Sequence, residues 1–504
     1  MKKLFGTDGI RGIANKYPMT PTMAMNTGVA IAKYVKKEGC NYIVIGRDTR
    51  LSGQMLESAL AAGITSQGVN VLTAGVVPTP AVAFLLSSFN QSEMRFGEPE
   101  EADIKDTIGA GVVISASHNP WQDNGIKVFK RGGWKLSDDE EQMIESTILS
   151  LLSECSDDKN GESDTGRIYT ISDAEKMYCE FLKKGFTPKR YHKSVFSSQY
   201  QESCQDNKPL KIVVDCSNGA ASAVAPILFD GSFFLSTQSE RCNTLEGQPN
   251  WAMLFNASFI FNQPDGKNIN EQCGSQHTET LSLKVVESGA DVGLAFDGDA
   301  DRLIAIDETG AVITGDRILA ICAAHAKANG TLNNNCVVST VMSNIGLART
   351  LQSLGVEHLI TGVGDREVLQ KMLESGSVMG GEDSGHMIFS QYHTTGDGLL
   401  TSLRLIEVMI DTGKPLSELA SIMKVYPQIL MNVEVDVSRP DFMAVKSIAD
   451  EIRAVEAELG AHGRVLVRYS GTQPLLRVMV EGPDHDKTRE CCDRICNKIR
   501  DYKL

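Results

Sequence analysis

Two things are scarce in this chain, long apolar runs and positive charge in excess, and each scarcity removes a class of protein. The longest apolar stretches, such as Ala81 to Leu86 and Gly109 to Ile114, fall far short of the roughly 20 residues that a membrane-spanning helix needs. The 49 Lys and Arg are outnumbered by 64 Asp and Glu, giving a formal net charge of −15 and no electrostatic drive toward nucleic-acid backbones or anionic lipid. Neither nucleic acid nor membrane is expected as a partner. Lys2 and Lys3 are followed by no apolar segment of the kind a secretion signal carries, which makes the cytoplasm the expected location. The 12 Cys are scattered from Cys40 to Cys496, and the one cluster, Cys491, Cys492 and Cys496, falls short of the four ligands of a structural zinc site. Reduced thiols are expected.

What is present is a chain of 504 residues, 42% hydrophobic, long enough for several cores. Tyr42 to Gly46, Lys211 to Asp215 and Cys336 to Ser339 are β-branched runs, each followed by a polar or Gly-rich loop and a helix-like segment. Such repeated units predict α/β layers. After Pro427 the pattern changes to an alternating strand at Met431 to Val435, a helix near Phe442 to Leu459 and a strand at Val465 to Val467, which predicts a small α+β domain. Ser87 to Thr107 and Gln238 to Gln263 read as surface insertions, and Ser153 to Gly166 as a domain boundary.

Four loops carry the chemistry. In Asp297-Gly298-Asp299-Ala300-Asp301-Arg302, three carboxylates alternate between two predicted strands, a density of negative charge that suits a hard divalent cation. Arg302 stands where a calcium EF-hand requires Gly, so Mg²⁺, with few protein ligands and the rest from water and phosphate, is the better match. Ser115-Ala116-Ser117-His118-Asn119-Pro120 opens from an apolar strand, with Lys127 downstream; it reads as a nucleophile or phosphate carrier, or as a plain turn. Arg468 to Pro474, with Arg477 behind, reads as a phosphate cradle or as a hairpin turn with surface arginines. Gly380 to His386 offers Glu, Ser and His to sugar hydroxyls. Together the four loops point to phosphoryl transfer on a phosphorylated polyol.

The motifs Ser115 to Pro120, Asp297 to Arg302, Gly381 to His386 and Arg468 to Pro474, in this order, resemble those of the α-D-phosphohexomutase superfamily. Phe5 to Gly12, Pro264 to Asn270 and Thr394 to Gly398 are similar to its bacterial branch that interconverts glucosamine phosphates. The resemblance implies four domains around a central cleft, three α/β mixed-sheet domains and a smaller C-terminal α+β domain, spanning residues 1–170, 171–310, 311–425 and 426–504. It implies that Ser117 carries the activating phosphate, and that Asp297, Asp299 and Asp301 bind Mg²⁺ together with an oxygen on Ser117. Arg11, His118, Lys127 and Arg302 would surround the transferring phosphoryl group. Glu382, Ser384 and His386 would read the sugar, while Arg468, Ser470, Gly471, Thr472 and Arg477 would hold the phosphate that is not reacting.

The implied reaction converts glucosamine 6-phosphate to glucosamine 1-phosphate for UDP-N-acetylglucosamine and cell-wall synthesis, with a hexosamine or glucose 1,6-bisphosphate as activator. A small-molecule hexosamine phosphate is the implied partner and a homodimer the implied assembly. Glucose or mannose phosphate specificity, a noncatalytic sugar phosphate sensor and a metal-dependent phosphatase are the rival readings. Asp383 stands where the resemblance leads one to expect Gln, and would place a negative charge beside an ammonium-bearing sugar. Ala300 stands where Gly is frequent.

Overall fold

The computed structural model of the chain describes residues 4–6, 8–88, 108–153, 164–189, 208–230, 254–436, 440–470 and 474–502. They form two compact units, one of residues 1–341 with 359–420 and the other of 342–358 with 421–504.

In the first unit, strand Ile108–Ile114 is buried along its whole length, as its unbroken apolar run predicts for a strand covered on both faces. It lies parallel to Tyr42–Arg47, which is in turn parallel to Asn70–Val76. Asp123–Lys130 runs antiparallel between Ile108–Ile114 and Gly9–Ile13, so the sheet is mixed. Ile168–Thr170 joins beside Asn70–Val76, and the first sheet thus extends to Thr170. The Ser115 to Pro120 loop leaves the carboxyl end of Ile108–Ile114, the end at which ligands meet parallel strands.

In the second sheet, Phe255–Ile260, Leu210–Asp215 and Val292–Phe296 are parallel, and Leu303–Asp307 returns antiparallel. Phe296 pairs with Leu303, so the acidic hexapeptide is the tip of a hairpin. Strand Phe255–Ile260 corrects the reading of Gln238 to Gln263 as a surface insertion. Its apolar residues alternate with Asn256 and Ser258, and its backbone pairs with Leu210–Asp215 over six positions. Residues 238–253, and residues 89–107 of the other expected insertion, lie outside the described residues. In the third sheet Cys336–Thr340 is parallel to Met379–Gly381, which turns back into Met387–Phe389. The Gly381 to His386 loop is that turn.

In the second unit, Leu475–Glu481 is the middle strand between Gln428–Glu434 and Arg464–Tyr469. The expected helix begins at Lys446, later than the sequence suggests, because Asp441 accepts the Met443 N–H and closes a separate turn over Phe442–Ala444. Cys491, Cys492 and Cys496 lie on helix His485–Tyr502 and are buried against Ile429, Val478 and Ile452. They are core side chains. The nine described cysteines are free thiols, and no described helix is long and apolar enough to cross a membrane.

Candidate active site

Ser117 sits in the left-handed backbone region at φ 53°, a conformation that disfavours a Cβ and persists only when the surroundings hold it. Arg50 supplies that hold from full burial. Its Nη2 donates to the carbonyls of Ser117 and Asn119, both at 2.8 Å, its Nη1 to those of Asp123 and Pro120, and its Nε to Asp48 at 2.8 Å. All five guanidinium N–H groups are thereby used, which is how a buried Arg is tolerated. Ser115 Oγ accepts the Ser117 N–H at 2.9 Å and donates to Asp48 at 2.6 Å. So fixed, Ser117 Oγ donates to Asp297 Oδ2 at 2.6 Å and lies 3.3 Å from His118 Nδ1.

Asp297, Asp299 and Asp301 bring one oxygen each to within 4.8 Å of one another, and all three are buried. Gly298 permits the approach, since a Cβ there would lie 2.5 Å from the Ser117 carbonyl oxygen. Burial, reinforced by Asp301 and Asp299, pushes the Asp297 carboxyl well above the usual carboxylate range. Asp301 goes the other way: its burial is outweighed by Lys127, His386 and Arg302, which hold it well below that range. Lys127 Nζ reaches Asp299 at 2.8 Å, Asp8 at 2.9 Å and Asp301 at 3.6 Å; these carboxylates overcome its burial and raise its pKa. Thr79 Oγ1 adds a bond to Asp299 Oδ2 at 2.5 Å.

His118 is pushed down to about 4, by burial first and then by Arg302 and Arg11, so its imidazole is neutral near pH 7. Arg302 Nη1 lies 3.0 Å from His118 Nδ1, which therefore accepts. Arg11 Nη2 donates to Asp8 at 2.7 Å. Arg302 also carries the link to the sugar loop: it bridges to His386 as a β-partner, and Leu303 N–H donates to the Gly385 carbonyl at 3.1 Å. Gly385 has φ 90°, and a Cβ there would stand 2.1 Å from Leu303 O. Glu382 accepts the Gly364 N–H at 3.1 Å and lies 3.4 Å from the Ser384 hydroxyl. His386, wholly buried, has Nδ1 3.6 Å from Asp301; burial opposes its charge, but Asp301 and Asp365 outweigh it and raise its pKa. Between Glu382 and Ser384, the Asp383 Oδ1 and carbonyl receive the N–H groups of Asp316 and Gly315 at 3.4 and 3.0 Å.

In the second unit, Arg468 and Arg477 are direct cross-strand partners. Burial and the Arg477 charge lower the Arg468 pKa. The Nε atoms of both and Ser470 Oγ are buried without a hydrogen-bond partner among the described residues. Like charges opposed on a strand pair repel, so this arrangement is suited to an anion. Gly471 and Thr472 lie outside the described residues.

Four models of the phosphoglucomutase/phosphomannomutase family match the chain: alpha/beta/alpha domain I at residues 2–153, domain II at 189–310, domain III at 314–426 and the C-terminal domain at 430–498. The phosphoglucosamine mutase of Desulforapulum autotrophicum is 56% identical, with 100% of each chain covered. The chain belongs to the phosphoglucomutase/phosphomannomutase family. A crystal structure of a protein of this family from Burkholderia thailandensis resembles it with a TM-score of 0.75 at 25% identity, covering 100% of this chain and 98% of that one. Aspergillus fumigatus N-acetylphosphoglucosamine mutase, solved in complex with GlcNAc-6P and magnesium, shares the fold with a TM-score of 0.62 at 16% identity, over 99% and 96% of the two chains.

As a phosphohexomutase the chain is an isomerase that works by intramolecular phosphotransfer, and its acidic hairpin fits the family's Mg²⁺. The fit rests on two orphans: Asp299 Oδ1 and Asp301 Oδ1 are buried without a hydrogen-bond partner among the described residues, as oxygens kept for a cation would be. Sequence reasoning passed over Asp8, Asp48, Arg50, Thr79, Lys135 and Asp365 in this centre. A signal existed for Asp48 and Arg50, which follow directly on the carboxyl end of strand Tyr42–Arg47, where α/β sites assemble; Lys135 and Asp365 carried none.

Proposed function

We propose that this phosphohexomutase interconverts glucosamine 6-phosphate and glucosamine 1-phosphate, with Ser117 as the phosphorylated residue and a 1,6-bisphosphate as intermediate. The observation that carries the phosphoryl-transfer chemistry is the strained, buried Ser117 with its hydroxyl 2.6 Å from Asp297 in the acidic hairpin. The amino sugar is supported by the 56% identity to a protein named phosphoglucosamine mutase.

In the forward direction O1 of glucosamine 6-phosphate attacks the phosphorus on Ser117. The O1–P bond forms, the P–Oγ bond breaks, and the hydroxyl proton passes to a base. The bisphosphate turns end for end, Ser117 Oγ takes the 6-phosphate, and glucosamine 1-phosphate leaves. Asp297, Asp299 and Asp301, with an oxygen on Ser117, would hold Mg²⁺, which would supply positive charge to the phosphoryl oxygens. Arg11, His118, Lys127 and Arg302 surround the moving group, and the neutral His118 offers a hydrogen bond without adding charge. Glu382, Ser384 and His386 read the sugar. Arg468, Ser470 and Arg477, with the loop of Gly471 and Thr472, hold the phosphate at rest. A hexosamine or glucose 1,6-bisphosphate restores phosphate to a Ser117 that has lost it. The free thiols of the nine described cysteines support a reducing, cytoplasmic setting, where the product would feed UDP-N-acetylglucosamine synthesis.

A coupled assay with Mg²⁺ and a trace of hexose 1,6-bisphosphate tests this by comparing glucosamine, glucose and mannose 6-phosphates, with Ser117→Ala as control. Preference for glucosamine phosphate, lost in the variant, is the expected result. Preference for glucose or mannose phosphate would replace the substrate, and binding without turnover of any of the three would point to a sensor.

A further inference from the structure

Lys135 lies outside all four loops, and its ammonium bridges two carboxylates, Asp8 and Asp365, that lie outside them as well. It sits in the two-residue strand Trp134–Lys135, paired through Phe129 with the strand that carries Lys127. Its Nζ contacts Asp8 Oδ1 at 2.8 Å and pairs with Asp365 Oδ2. Asp8 turns its other oxygen to Lys127 at 2.9 Å and to Arg11 at 2.7 Å. Asp365 Oδ2 lies 3.6 Å from His386 Nε2, whose ring lies 3.6 Å from Asp301 through Nδ1. Asp301 is 3.6 Å from Lys127, so Asp8, Lys135, Asp365, His386, Asp301 and Lys127 close a ring of acidic and basic groups in strict alternation. Every member is mostly buried, and the ring ties together the first sheet, the acidic hairpin and the sugar loop.

We propose that Lys135 is a positioning residue for phosphoryl transfer, acting through Asp8 on Arg11 and Lys127 and through Asp365 on His386. This rests on the phosphohexomutase reading above. Without the ammonium, Asp8 Oδ1 loses its partner, and both Asp8 oxygens can turn to Lys127 and draw it away from Asp299. Asp365, also released, no longer keeps the far side of the His386 ring in place. Neither change removes a group that touches the phosphate. The first moves Arg11 and Lys127 beside the phosphate and the second moves His386 beside the sugar, and misplacement by about 1 Å can cost roughly a hundredfold in rate.

Purified Lys135→Met and Asp365→Asn, which keep the side-chain size while removing the charge, are compared with the wild type for kcat, KM, melting temperature and Ser117 phosphorylation by intact mass. The expected result is a kcat lowered roughly ten- to a hundredfold in either variant, with KM for glucosamine 6-phosphate changed less than about threefold and Ser117 still phosphorylated. The double variant loses little beyond the worse single one, because one ring is broken twice. Lys135→Arg, which can span the same two carboxylates, recovers most of the rate. A purely structural ion pair would lower the melting temperature and leave the kcat of folded protein in place. If the wild type is active and Lys135→Met keeps kcat within about twofold, or the two losses multiply, the positioning role is overturned. If the wild type turns over no sugar phosphate, the function proposed above falls, and the positioning role with it. Should Lys135→Met fail to fold, Asp365→Asn and Lys135→Arg decide by the same criteria.

Discussion

The surroundings of Ser117 and those of Arg468 are built on opposite electrostatic plans. Around Ser117, Arg50 uses every donor, Lys127 faces three carboxylates, and most oxygens of the acidic hairpin are engaged. Around Arg468 two guanidiniums oppose each other on paired strands, and Ser470 Oγ is buried with nothing to bond among the described residues. A centre that moves a phosphoryl group must not reorganise while charge redistributes, so its groups are braced against one another. A cradle that binds and releases an anion needs donors in waiting, with the anion supplying the missing partner. The orphan oxygens of Asp299 and Asp301 follow the cradle's rule inside the braced centre, which marks them as the place for a cation.

The largest effect that would sharpen this contrast is Ser117→Ala, which should lower turnover by roughly four orders of magnitude or more in the coupled assay while leaving the melting temperature nearly unchanged. Arg50→Met comes next. It strands Asp48 as an unpaired buried carboxylate and frees several carbonyls, so chemical denaturation should show a loss of about 3–5 kcal/mol. The cradle should respond in the opposite way. Arg477→Ala relieves the repulsion on Arg468, so its stability should fall by less than about 0.5 kcal/mol or rise, while KM climbs roughly tenfold or more. A large loss of stability in Arg477→Ala would break the contrast. The smallest effect is expected at Ala300, which holds φ 55° in the acidic hairpin. Ala300→Gly should stabilise by up to about 1 kcal/mol, because relief of left-handed strain exceeds the entropy that glycine adds to the unfolded chain.

The sequence made the four loops visible because each packs its chemistry into six or seven consecutive residues. It also showed the α/β alternation, through β-branched runs such as Tyr42 to Gly46 and Lys211 to Asp215, and the small last domain, through the alternating strand at Met431 to Val435. It misjudged Phe255–Ile260, where polar residues between apolar ones hid a strand. Lys135 and Asp365 were illegible for a different reason. Each is an ordinary charge in its own segment, and their meaning lies in a pairing across 230 residues of chain.

By itself the sequence determined which chemistry is available: a hydroxyl for phosphate, carboxylates for a divalent cation, guanidiniums for an anion, each dictated by side-chain type and short spacing. Only the tertiary structure decided which charges are answered and which are left open. Burial makes an unpaired group costly, and whether a group is buried and paired depends on chain segments far apart in sequence. The same arginine side chain braces a loop as Arg50 and, as Arg468, keeps its Nε without a hydrogen-bond partner among the described residues.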